Sequence, residues 1–103
     1  MPGYEFIGIE EKKALNDIFT NGGVFFRHGF DQLRNNKYYV DEFEKSFSKK
    51  LKSPFALAVS SGTAAIRVAL SVLNLKPDDE VITQSFTFVA TVEAIVESRA
   101  KPV

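Results

Sequence analysis

The sequence predicts a parallel α/β fold with an incomplete sheet, on three observations. Short apolar runs at residues 55–59 and 81–83 alternate with helical stretches at 63–74 and 87–98, the order that builds parallel strands covered by helices. The turn Ser60-Ser61-Gly62-Thr63 carries the first run straight into the first of those helices. The last residues, Ala100-Lys101-Pro102-Val103, open a further strand and the chain stops inside it, which predicts a fragment of a longer protein. The expected organisation is a single incomplete domain over 1–103, with helices and a loop in 1–54 and the start of the sheet in 55–103.

Each element has its own reason. Residues 9–20 form a helix because Ala14, Leu15, Ile18 and Phe19 share one face, with Glu10 and Glu11 near the positive end of its dipole. Asn21-Gly22-Gly23 stops it. Residues 24–39 show no period and read as an ordered loop, whose Phe25, Phe26, Phe30, Tyr38 and Tyr39 either pin it to the core or face a ligand. Residues 40–51 return to helical spacing through Val40, Phe43, Phe47 and Leu51, a surface helix closed by Lys49 and Lys50 and ended by Ser53-Pro54. The continuous apolar run at 55–59 suits a strand buried on both faces. In the next helix Thr63, Arg67, Ser71 and Asn74 leave only a narrow polar stripe, so it is expected to be nearly buried. In the last helix Val89, Val92, Ile95 and Val96 are expected inward, and Phe86 is expected in the core.

Composition bounds the function. One hundred and three residues suffice for one domain, and 45% hydrophobic with 25% charged residues is the balance of a soluble globular chain. Thirteen basic residues against 13 acidic, with no basic block, argue against nucleic acid or an anionic membrane as partner. Without cysteine there are no disulfides or thiolate metal sites, and no metal site is expected. No apolar run resembles a signal peptide or approaches the ~20 residues of a membrane span, so the cytoplasm is the expected address.

The turn at 60–63 is the candidate site. The first amides of a helix lack intrahelical partners and sit at the positive end of the dipole, so they favour an anion. Gly62 lets a phosphate approach the backbone, Thr63 adds a hydroxyl, and Ala64 and Ala65 leave the first turn uncrowded. The same residues also suit a plain capped helix with no ligand.

The ordered set SSGTAAIRVALSVLNLKPDDEVITQSFTFVATVEAIVESRAKPV closely resembles the sugar aminotransferases of the DegT/DnrJ/EryC1/StrS family, which are pyridoxal-phosphate enzymes. The resemblance covers essentially the whole chain, is strongest over 55–103, and corresponds to the N-terminal part of a much longer protein. It implies the large domain of a fold-type I aminotransferase, pyridoxal 5'-phosphate as cofactor, a keto sugar as substrate, an amino acid as amino donor, and a homodimer. Carried over, Gly62, Thr63 and Ala64 hold the cofactor phosphate, and Phe88 of the family's T-F/W-x-A-T element stacks on the pyridine ring. The family's cofactor-carrying lysine and the acid that pairs with the pyridine nitrogen lie beyond position 103, so no catalytic residue is nominated and the isolated chain is expected to lack turnover.

Two departures stand out: Ser98-Arg99 where many members have a small residue and glycine, and Gln84 in place of a common proline. The start MPGYE and the loop FFRHGFD are most similar to a subgroup aminating a keto sugar acid of the octulosonate kind. That makes Arg27 a candidate carboxylate or phosphate contact, against the alternative of an exposed arginine, and leaves His28 as a surface or capping residue. Sheet strands missing from these residues imply a dimer or exchanged assembly. The competing expectation is a small non-catalytic α/β module for binding or assembly, with or without an anion at the helix terminus.

Overall fold

The computed structural model describes residues 3–103, so the first two residues of MPGYE lie outside the described residues. The chain divides into two compact units, Met1–Leu57 and Ala58–Val103.

The first unit contains a short 3-10 turn, Tyr4–Phe6, and two helices, α1 (Ile9–Thr20) and α2 (Tyr39–Leu51). Both helices stand within a residue of where the apolar spacing puts them. Gly8 caps α1 by donating its N–H to Glu11 Oε2 at 2.7 Å, which also holds the Glu11 carboxyl below its ordinary range. At the other end the Asn21 amide bonds the Asp17 carbonyl, and the chain reverses through Gly22 and Gly23 at φ 92° and 65°. Gly22 is needed on two counts: its positive φ, and a Cβ there would stand 1.9 Å from the Leu33 carbonyl oxygen.

Between the helices the loop is built around Arg34, the one buried charged residue among those described, at 4% exposure. Its guanidinium donates to the carbonyls of Arg27 at 3.2 Å, Val24 at 3.4 Å and Phe26, and lies 4.7 Å from the Tyr38 ring centroid. Three carbonyl dipoles and a ring face thus stand in for a carboxylate. The Phe25 ring packs edge-on against Phe19 at 5.3 Å, and Phe26 stacks on Phe30 at 5.4 Å. A second tie joins the loop's end to α1: Asp17 accepts from Lys37 and from the Tyr39 hydroxyl at 2.9 Å. The Lys37 ammonium, then the Tyr39 hydroxyl, hold the Asp17 carboxyl below its usual range, and Asp17 raises Lys37 in return. The loop's aromatics therefore pack mainly on the loop itself and on α1.

The second unit runs α3 (Gly62–Ser71), β1 (Glu80–Val81), α4 (Val89–Glu97), β2 (Lys101–Pro102). The two strands are parallel, with Glu80 opposite Lys101 and Val81 opposite Pro102. Flanking bonds, Lys101 N–H to Asp79 O at 2.8 Å and Thr83 N–H to Val103 O at 2.8 Å, lengthen the ladder at both ends. The crossover between parallel strands is α4, the βαβ arrangement the alternating pattern predicts. The buried hydrophobic residues are Ala90, Ala94, Ile95 and Ala100.

Four expectations need correction. Residues 55–59 form no strand: a strand exists only as part of a ladder, and the sheet among the described residues consists of β1 and β2. Helix α3 is not nearly buried: none of its residues is buried, and α4 is the element that packs most extensively on it. On α4 the inward face is Ala90, Ala94 and Ile95, with Val92 half-buried and Val89 and Val96 exposed. Phe86 is not in the core but 96% exposed.

Candidate functional site

Ser60-Ser61-Gly62-Thr63 folds as the sequence suggests, in an extended segment that turns at Ser61 into α3. Ser61 is the N-cap, with extended backbone (φ −162°, ψ 164°), and its Oγ accepts from the Ala64 N–H at 3.1 Å. The Ala65 N–H then makes the first intrahelical bond, to Ser61 O at 3.0 Å. That leaves the Gly62 and Thr63 amides without an acceptor among the described residues, at the positive end of the helix. No acidic residue stands in the first turn to repel an anion. Around Gly62 no atom lies within 4 Å of where a Cβ would stand, so a ligand has open space there.

This donor set fits a phosphate: two unengaged amides, a nearby hydroxyl, an open approach and no opposing carboxylate. The Ala64 amide differs from its neighbours in already having Ser61 as partner.

Phe88 is the N-cap of α4, with φ −69°, ψ 141°, and its ring is 77% exposed. A phenylalanine cannot cap with its side chain, and none does here. Beside it the Thr87 hydroxyl donates to Thr91 Oγ1 at 3.1 Å, and the Thr91 N–H bonds the Phe88 carbonyl at 3.0 Å. Helices α3 and α4, which present the turn and the ring at their N-termini, pack together in one unit. A two-armed ion pair joins them, Arg67 Nε to Glu97 Oε2 at 2.5 Å and Arg67 Nη2 to Glu97 Oε1 at 2.6 Å.

In the other unit, Arg27 Nη2 reaches both oxygens of Glu44, at 2.6 and 2.8 Å, so it is an ion-paired residue rather than a free exposed arginine. His28 is exposed. Among the described residues no group of three His, Asp or Glu is placed to hold a metal ion, and no helix is long and apolar enough to cross a membrane. Sequence reading missed the Thr87–Thr91 bond and the Arg67–Glu97 pair. The first leaves a trace, two threonines four apart across a helix start; the second depends on tertiary packing and leaves none.

The family model described as the DegT/DnrJ/EryC1/StrS aminotransferase family matches residues 28–103. The chain belongs to this family. Individual relatives match as well. GDP-perosamine synthase of Vibrio cholerae is 41% identical over 93 residues, covering 90% of this chain and 23% of that protein. EpsN of Bacillus subtilis (strain 168), named provisionally as a pyridoxal phosphate-dependent aminotransferase, is 47% identical over 64 residues, 62% of this chain and 16% of its own length. The 3-oxo-glucose-6-phosphate:glutamate aminotransferase of the same strain is 42% identical over 65 residues, 63% of this chain and 15% of its length. The chain thus spans less than a quarter of the length of these relatives. Family membership and the name of EpsN imply pyridoxal phosphate as the family's cofactor.

Proposed function

We propose that these residues are the N-terminal part of a pyridoxal-phosphate-dependent aminotransferase acting on a keto sugar, either nucleotide-linked or an octulosonate-type acid, with an amino acid as donor. The observation that carries this reading is the pair of unengaged Gly62 and Thr63 amides at the head of α3, inside the segment matched by the family model. In this reading the chain contributes the start of a fold-type I large domain. Gly62 and Thr63 hold the phosphate by their amides, Ala64 joins them by exchanging its Ser61 partner, and Phe88 lays its ring on the pyridine. When bound, the cofactor takes up electrons as the amino group moves. These residues bind and orient; the lysine that carries the cofactor lies outside them, and the 103-residue polypeptide alone has no turnover. Cytoplasmic location and a homodimeric or exchanged assembly belong to the same proposal. The relatives named for aminotransfer to sugars support the substrate class.

One observation favours the rival, a non-catalytic module whose helix is simply capped: the Ala64 amide is already taken by Ser61. Calorimetric titration separates the two. The probe is pyridoxamine 5'-phosphate, whose amine cannot condense with surface lysines. The parent chain binds it saturably, and Gly62→Asp, which places a carboxylate among the amides, lowers affinity at least ~10-fold by charge repulsion. A parent chain that binds nothing, or a Gly62→Asp chain that binds equally well, defeats the assignment.

A further inference from the structure

We infer that Thr91, acting with Thr87, is a positioning residue for the Phe88 ring, a step that rests on reading Phe88 as the stacking partner of the cofactor. Two observations and one general rule lead there. A helix N-cap prefers Ser, Thr, Asp or Asn, and this one holds a phenylalanine that caps nothing. The ring is 77% exposed, so burial does not reward its presence. A local rule broken without a packing gain marks a functional position.

A ring with no core to hold it needs another source of fixed orientation. The Thr87–Thr91 hydrogen bond supplies it, spanning Phe88 from the residue before it to the third residue of α4. Both threonines are half-buried, which shields the bond from water, and the Thr91 N–H closes the same loop onto the Phe88 carbonyl at 3.0 Å. The backbone that carries the ring is therefore tied on both sides while the ring itself stays open to a ligand. Thr91 touches no reacting atom in this scheme; it acts through Phe88.

The test uses the full 103-residue chain and two probes, pyridoxamine 5'-phosphate and inorganic phosphate, with Thr91→Val, Thr87→Val and Thr91→Ser. Valine keeps the shape and removes the hydroxyl; serine keeps the hydroxyl. Either valine variant weakens pyridoxamine 5'-phosphate binding about 5-fold, in line with one lost hydrogen bond, and leaves phosphate binding unchanged, while Thr91→Ser matches the parent. A role confined to stability moves both probes together, and that result overturns the inference, as does unchanged cofactor binding. Amide exchange in the free chain gives an independent reading: the Thr91 N–H exchanges faster in both valine variants. If the parent binds neither probe, the cofactor reading fails. Exchange then still decides whether the threonines fix Phe88, and unchanged exchange rejects that.

Discussion

Arg99 stands in the left-handed region at φ 69°, directly after the last turn of α4. The resemblance leads one to expect glycine there, and the structure shows the cost of departing from it: a side chain in a conformation that glycine adopts freely. Among the described residues no side-chain ion pair or hydrogen bond of Arg99 offsets the strain. Arg99→Gly is expected to stabilise the chain by about 1 kcal/mol, measured as a rise in the urea midpoint; a fall would show that the arginine contributes something unseen. The position was legible in the sequence as a departure, though its backbone angle was not. Arg34 is the opposite case. Nothing in its neighbours' spacing marks it, because its partners are carbonyls, which every residue has, and only the loop's path brings three of them to one guanidinium.

At the scale of elements, α1 and α2 were readable because their periodicity and stop signals are local. The βαβ order of the second unit was readable for the same reason. The run at 55–59 was not, since apolar character fixes a preference and only a partner makes a strand. The inward face of α4 was legible in part: Ile95 is buried as expected, while Ala90 and Ala94 take the inward places expected of Val89 and Val96. The turn at 60–63 was legible as a helix start, but which amides stay unengaged depended on the Ser61 rotamer. The tie between α1 and the following loop has a pH signature. The folded chain lowers the Asp17 carboxyl, so its stabilising effect is present above the ordinary aspartate range near ~3.9 and is lost as pH falls through the lowered value. Lys37 is raised, so its share is present below the ordinary lysine range near ~10.4 and is lost as pH climbs through the raised value. Between those limits the tie is insensitive to pH. The stability difference between parent and Asp17→Asn is expected to shrink in acid and stay level from about pH 5 to 9; a difference that grows in acid would contradict the assignment. The Arg67–Glu97 pair, about half exposed on each side, is worth at most ~1 kcal/mol despite its two arms.

Taken whole, the chain leaves much apolar surface in water. Its accessible surface is 8762 Å² at 11.5 kDa. Two separate folded units of half that mass would expose only about 7,000 Å² between them by the usual scaling. The excess includes Phe6, Ile9, Phe55, Ile82 and Phe86, all largely exposed. Sedimentation at micromolar concentration is therefore expected to show a dimer or larger species, and a stable monomer would count against self-association. The buried hydrophobic set of the second unit, three alanines and one isoleucine, carries one last implication. So few carbon atoms withdraw little area from water, and a unit held by so small a core opens readily, its amides trading hydrogens with solvent early.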